Sequence, residues 1–469
     1  MSKVNVFIPV LLLRRFSIVD VEEKFMKSIW ILSICICCLL PFAQANSITV
    51  QNNTQHPSQA DLLNGGWVEE QDNITILHVS GSNYEMGYQH GYLLQEEVQE
   101  NVRAFLHFAD HYLSRSELWM MWNISLTYIP SDYLQELQGI ADGANLSFYD
   151  FAESIMAIEY ADHGCFGIAA WGPATLDGKL YHSRSFDLPS TIQDPVTGKY
   201  AHENTVLVVR EPINGVASLS PSIAGSFHTG GGMNANGVCL GIQICWSKDQ
   251  TFQGNPYQFR VQQVLDHATT AEEAVQILNT NRTHGFNFIV SQANPSIGYI
   301  VEQSANHTYI GTYNNSVEDT SPFWGIDHVV RRTNVFIDPT IASTQRKRYD
   351  PTGLMGFLNL LFYKKTNCPF FAVYQLYSSV SHEINASWGT MDLNGTMAAL
   401  QNGYKANHNM ILRLIEKLGK GTGMAESWNQ WTACPATGDM VVSFATHDTL
   451  AYKVEPRYFN LYTLLQEKR

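Results

Sequence analysis

The sequence predicts a layered α+β domain, and three observations carry that expectation. Amphipathic helical stretches dominate the chain up to residue 160, and apolar, β-branched runs broken by Gly and Asn turns fill 165–303. Beyond them helix returns, followed by a last pair of strands.

Taken in order, Ile74 to Val79 reads as a short strand, and Gly81-Ser82-Asn83 turns it into a long amphipathic stretch from Leu93 to Leu113. A helical pair is expected over Tyr133 to Ala144 and Phe148 to Glu159. From Cys165 the texture changes, with strands expected at 165–171, 178–184, 205–210, 237–245, 286–292 and 298–303. The first two form a hairpin, because the turn between them contains Asp177-Gly178. Thr270-Ala271-Glu272-Glu273 reads as a capping box that opens a helix ending at Leu278. Further helices are expected at 353–363 and 397–418, and strands at 440–444 and 449–454. There is no internal repeat and no low-complexity tract.

At 469 residues, 45% hydrophobic and 12% aromatic, the chain can bury one large core or two ordinary ones. That composition excludes disorder as its main character. Lys+Arg 29 against Asp+Glu 43 leaves a net charge of -14, which repels phosphate backbones and anionic surfaces, so no nucleic-acid partner is expected.

The N-terminus reads as an address. From Met26, a basic start at Lys27 leads into the apolar run Ile29 to Leu40 and then Ala43-Gln44-Ala45, a small-x-small cleavage site. The run is shorter than the roughly 20 apolar residues a bilayer span requires, so no stable span remains once it is removed. Met26 fits an initiator, although Phe7 to Leu13 upstream is also apolar and leaves the start open. The organisation expected is a signal peptide over 1–45, a mostly helical pro-segment or small chain over 46–164, and a catalytic large chain over 165–469. Nine Asn-x-Ser/Thr sequons, at Asn52, Asn73, Asn123, Asn145, Asn281, Asn306, Asn314, Asn385 and Asn394, agree with secretion or lysosomal delivery. After signal removal Cys165, Cys239, Cys245, Cys368 and Cys434 remain, an odd number that leaves at least one thiol outside any intrachain disulfide.

The sharpest chemical feature is Gly164-Cys165, a lone cysteine opening a strand directly after a glycine. Glycine on the acyl side lets a thiol approach the carbonyl closely, as an N-to-S acyl shift requires. Scission would give Cys165 a free α-amino group, with a reference pKa of about 7.7–8.0, beside its own thiol. By itself a cysteine there reads as a small buried hydrophobe. Arg184 and Asp187, at the end of the second hairpin strand, return beside Cys165, where a cation favours thiolate and a carboxylate can orient the amine. Farther on, Asn334 offers an amide donor for an oxyanion hole and Arg346 a buried cation.

Several segments carry the pattern of a known family. Gly81-Ser82-Asn83-Tyr84-Glu85-Met86-Gly87-Tyr88-Gln89-His90-Gly91 is followed by Leu137-Gln138-Gly139-Ile140-Ala141-Asp142-Gly143 and Gly164-Cys165. Asp177-Gly178-Lys179, Arg184-x-x-Asp187, Asn234-Ala235-Asn236-Gly237-Val238 and Thr333-Asn334 complete the series. In order and spacing the chain resembles the acyl-coenzyme A:6-aminopenicillanic acid acyltransferase family of N-terminal-nucleophile hydrolases, related to bile-salt hydrolases and penicillin V acylases. The resemblance implies a four-layer αββα sandwich and autoproteolysis before the cysteine. It implies Cys165 as nucleophile, Arg184 and Asp187 as its neighbours, Asn334 as an oxyanion donor, and Arg346 as a further site residue. Two departures stand out: Phe166 replaces a small hydroxyl residue, and Ser185-Phe186 lacks the asparagine common there. Neither removes a proposed catalytic atom; the first bears on the pocket.

The reaction that follows is acyl transfer through a thioester on Cys165, without a cofactor, on a small-molecule or lipid amide. Water, abundant outside the cell, favours hydrolase over transferase, and the two fragments are expected to stay associated. Two other readings are a lysosomal phospholipase-B-like lipid hydrolase and an uncleaved secreted binding protein. Gly230-Gly231-Gly232 lacks the ending of a phosphate loop and reads as a flexible lead into a strand. Asp162, His163 and Cys165 lie too close in an extended segment to converge on one metal ion. His90 reads as a packed or capping histidine, Cys239 and Cys245 as core. Cys368 and Cys434, each followed by proline in an expected loop, are either a disulfide or two free thiols.

Overall fold

A computed structural model of the chain describes residues 57–161, 164–345, 354, 372–407 and 426–467. The expected signal peptide, Met26, Asn52, Asp162, His163, Arg346, Cys368, the helix expected at 353–363, Leu354 apart, and residues 408–418 of the helix expected at 397–418 lie outside the described residues.

Two sheets form the centre. Strands β1 (Trp67–Gln71), β2 (Ile74–Gly81), β5 (Thr205–Pro212), β6 (Ser218–Ile223), β7 (Gly231–Asn234), β8 (Val238–Ile244), β9 (Phe286–Gln292), β10 (Ile297–Gln303) and β11 (Thr308–Gly311) make one, in that order. The other runs β12 (Val329–Arg332), β3 (Gly164–Gly172), β4 (Gly178–Leu188), β13 (Glu426–Cys434), β14 (Asp439–Phe444) and β15 (Arg457–Asn460). Strands β3, β4 and β12 pack face to face on β8, β9 and β10. Helices α1 (Asn83–Leu93), α6 (Tyr257–His267) and α7 (Ala271–Leu278) lie on the larger sheet, and α2 (Gln95–Ala109), α3 (Arg115–Ser125), α4 (Ser131–Gly143) and α5 (Phe148–Glu159) complete that layer, α4 on α1 and α5 on α2, α3 and α4. The pair α8 (Ala372–Ser387) and α9 (Leu393–Asn407) covers the smaller one, with α9 on β4, β13 and β14. The layers are therefore α, β, β, α, as the resemblance implies.

The glycines of two quoted motifs have a packing reason. A methyl group on Gly139 would sit 2.3 Å from the carbonyl oxygen of Tyr84, and one on Gly87 would sit 2.1 Å from that of Glu136. Gly91 and Gly143 repeat this one turn on, so α1 and α4 meet backbone to backbone.

Four local expectations change. The amphipathic stretch expected from Leu93 to Leu113 is helical only over Gln95–Ala109, and a separate helix, α1, precedes it, because Leu94 leaves helical geometry (φ -122, ψ 39) and is buried between the two. Strand β4 runs on to Leu188, since β13 pairs its far side from His182 to Leu188. The strand expected at 449–454 is instead a short turn of helix, Ala451–Lys453, in which the Tyr452 N–H reaches the Ser427 hydroxyl at 3.1 Å. Thr270 caps α7 as expected, but the Glu273 carboxylate bonds Thr269, at 2.8 Å from its N–H, and the reciprocal half of the box is absent.

Strand β13 had no counterpart in the sequence reading. Lying between β4 and β14, it is buried on both faces and shows no polar alternation. Cys434 is its last residue, a buried free thiol in a strand and not in a loop.

Candidate active site

Strand β3 opens at Gly164 and pairs antiparallel with β4 in the register Gly164↔Asp187, Cys165↔Phe186, Gly167↔Arg184. Side chains alternate, so Cys165 and Arg184 share the face turned to the other sheet, while Asp187 points to the opposite face. On the other flank β12 pairs with β3 only as far as Arg332↔Gly167. The next two residues leave the ladder, and their side chains continue it to Cys165.

Every polar group of Cys165 is met. Its N–H donates to Asn334 Oδ1 at 2.9 Å, its carbonyl accepts from Thr333 Oγ1 at 3.0 Å, and Arg184 Nη2 lies 3.5 Å from its sulfur. The residue is wholly buried. Burial pushes the thiol up to about 11, with Arg184 pulling the other way. In the continuous chain the sulfur is therefore held neutral.

Arg184, also wholly buried, donates from Nε to the Ile242 carbonyl at 3.0 Å and lies 5.1 Å from the Phe186 ring centre. Its Nη1 has no hydrogen-bond partner among the described residues. Glycines make the room for its stem: a methyl group on Gly231 or Gly241 would meet Arg184 Cδ at 3.0 Å. Gly230-Gly231-Gly232, read from sequence as a flexible lead, is a buried floor under this cation.

The Asp187 carboxylate accepts from Tyr404 Oη at 2.6 Å and from the Ser185 hydroxyl. Burial raises it to about 6, against the lowering effect of those two hydroxyls. Asp187 thus faces α9, on the side of the strand away from Arg184 and the Cys165 sulfur, and no salt bridge to Arg184 forms.

Asn334 has its orientation set by its partners. A backbone N–H can only donate and a carbonyl only accept, so Oδ1 faces Cys165 N while Nδ2 donates to the Ile244 carbonyl at 2.8 Å. The donor expected for an oxyanion is engaged by Ile244 in this state.

Sequence reasoning missed Thr333, Tyr404, Ile242 and Ile244. The position of Thr333 beside Asn334 was a usable signal; Tyr404, on a helix 217 positions from Asp187, had none. His90 is packed as expected, its Nε2 accepting from Gly225 N–H at 3.2 Å. Cys239 and Cys245 are buried free thiols in the core.

The resemblance drawn from the motifs holds: residues 194–353 match the family model described as acyl-coenzyme A:6-aminopenicillanic acid acyl-transferase. The curated relative dcd1B of Dictyostelium discoideum is 23% identical over 348 residues, which is 65% of this chain and 67% of that protein. Matches to two further curated relatives span 40% and 54% of their own lengths. Among solved structures, a Caenorhabditis elegans N-acylethanolamine-hydrolyzing acid amidase ortholog is 14% identical, with 58% of this chain and 93% of that chain covered and a TM-score of 0.34. Penicillin V acylase from Agrobacterium tumefaciens is 15% identical, with 63% and 85% covered and a TM-score of 0.36.

Proposed function

We propose that this chain, carrying the acyltransferase-family pattern, is the precursor of a self-processing N-terminal-nucleophile amidohydrolase with Cys165 as nucleophile. One observation supports this above the rest: the nitrogen, carbonyl and sulfur of Cys165 each face a polar side chain, from Asn334, Thr333 and Arg184. A cysteine that merely fills the core requires none of them.

The first step is attack of the Cys165 sulfur on the Gly164 carbonyl carbon. The C–N bond breaks, a thioester forms, and the thiol proton ends on the departing nitrogen. Water then hydrolyses the thioester, leaving a Gly164 carboxylate, the free thiol and a free α-amine. That amine remains on Asn334 Oδ1 and serves as the base in later turnovers, relaying the thiol proton to the amine released from an amide substrate. Arg184 stabilises the thiolate once the pre-scission segment leaves. Oxyanion donation from Asn334 Nδ2 requires it to exchange its contact with the Ile244 carbonyl.

The fragments stay together through a buried charge cluster. Arg210 of β5 bonds Glu136 of α4, with Nη2 to Oε2 at 2.7 Å, and Nε lies 3.2 Å from Asp266 Oδ1 on α6. Tyr133 of α4 donates to Asp266 Oδ2 at 3.0 Å. Separating them would strand these charges in the interior.

Passage through a secretory pathway is part of the proposal. All eight sequon asparagines among the described residues are exposed, whereas Asn101, Asn234, Asn287 and Asn334, which lie in no sequon, are buried. Among the described residues no helix is long and apolar enough to cross a membrane.

Intact mass and N-terminal sequencing of wild type and Cys165→Ala test the proposal. Wild type should give two fragments, the larger beginning at Cys165, and the variant one uncut chain without amidase activity. A continuous wild-type chain that hydrolyses amides, or a cut variant, would sink it.

A further inference from the structure

The chain from Thr333 to Asp338 carries the side chains that face Cys165, yet it has left the sheet. Strand β12 ends at Arg332, so the backbone groups beyond it must find partners elsewhere or be buried unpaired. Three side chains supply them, two from strands of the other sheet and one from the turn that follows. Asn287 of β9 donates from Nδ2 to the carbonyls of Thr333 at 2.8 Å and Val335 at 2.9 Å, one on each side of Asn334. Gln345 donates to the Asn334 carbonyl at 3.0 Å and accepts from Phe336 N–H at 3.1 Å. Glu302 of β10 accepts from Ile337 N–H at 2.9 Å and Asp338 N–H at 3.0 Å. All three are wholly buried.

The near end is anchored as firmly. Arg332 lies between two carboxylates, with Nε 2.7 Å from Glu302 Oε1 and Nη2 2.6 Å from Glu318 Oε1. Glu302 therefore ties the residue before the segment to the two that close it. No ladder fixes the position of Asn334; these side chains do.

We propose that Asn287, Gln345 and Glu302 are positioning residues for self-cleavage and turnover, acting through Asn334. They form a polar cradle that sets the Asn334 amide against the Cys165 nitrogen. The inference rests on the reading of Asn334 given above. Its specific content is that Asn287 and Gln345, which touch neither Cys165 nor substrate, control the rate by placing one amide.

The test follows self-cleavage of the full-length precursor in Asn287→Ala, Gln345→Leu, Asn334→Ser and the two doubles with Asn334→Ser. Processed enzyme is then assayed on a fluorogenic N-acyl aminocoumarin, and melting temperature reports the fold. Asn287→Ala and Gln345→Leu should each slow self-cleavage by roughly 10- to 100-fold and lower kcat with KM unchanged. Neither should add to the loss in Asn334→Ser, because both act through that side chain. Wild-type rates in the folded single variants, or losses that multiply with Asn334→Ser, overturn the proposal. Should Asn287→Ala fail to fold, Gln345→Leu decides by the same criteria. A wild-type rate in Asn334→Ser itself defeats the reading of Asn334, whereas loss there with normal Asn287 and Gln345 variants defeats the cradle alone.

Discussion

The backbone nitrogen of Cys165 donates to Oδ1 of Asn334 at 2.9 Å, across 169 positions of sequence. In the proposed reaction this nitrogen changes from an amide to an amine. A carboxamide oxygen accepts from either, so the contact can persist through scission and hold the new base beside the sulfur.

Replacing that neutral acceptor with a carboxylate should tune the base. In Asn334→Asp the anion favours the protonated amine, so the acidic limb of the rate–pH curve should move up by about one unit. Turnover of processed enzyme across pH 5–9 measures it, and an unmoved limb would argue against the α-amine as base.

Arg184 Nη2 lies 3.5 Å from the sulfur, and one of the guanidinium nitrogens has no partner among the described residues. Arg184→Met, which keeps the stem and removes the charge, should lower turnover by about 100-fold. Alkylation of Cys165 by iodoacetamide should slow in parallel, since the thiolate is the reacting form. Arg184→Lys should restore part of both.

Asp187 is raised by burial to about 6. A carboxyl raised in the folded state contributes stability that is present below its unfolded value near 3.8 and is lost as pH rises through about 6. Asp187→Asn should remove this dependence, so its urea midpoint, measured from pH 4 to 7, should fall less than that of wild type. The difference is on the order of 3 kcal/mol.

Three buried histidines act in the opposite sense. Burial lowers His90 to about 4, and lowers His182 and His228 to about 3 with the Arg184 cation adding to it. Their stability contribution is complete above the ordinary value of 6.5 and is lost as pH falls toward 3–4. In His90→Gln the amide oxygen can accept from Gly225 N–H without taking a proton. Its acid-unfolding midpoint, followed by circular dichroism, should lie at lower pH than that of wild type.

The contact between α1 and α4 leaves no space for a methyl group at Gly139. Gly139→Ala should cost about 1–3 kcal/mol through overpacking, outweighing its better helix propensity. Differential scanning calorimetry of the uncut Cys165→Ala background isolates that cost from processing.

Much of the site was legible because its first parts are local. Asp177-Gly178 sets the hairpin, and the hairpin places Arg184 two residues across from Cys165 on one face. A turn signal and a period of two suffice for that inference. Their limits show at β13, where Trp428 and Trp431 share a strand buried on both sides, so no alternation marks it. The short helix at Ala451–Lys453 shows the same limit, because the Ser427 hydroxyl takes a backbone N–H that a strand would have used.

The sequence alone determined the hairpin and the Gly164-Cys165 pair with its cation, since each is written within a window of some twenty residues or fewer. Only the tertiary structure decided that Tyr404 would hold Asp187, that glycines of β7 and β8 would make room for Arg184, and that Asn334 would turn its oxygen toward Cys165. Those contacts join residues far apart along the chain. They depend on how two sheets and two helical layers close on each other, a sum over many buried side chains that no single segment encodes.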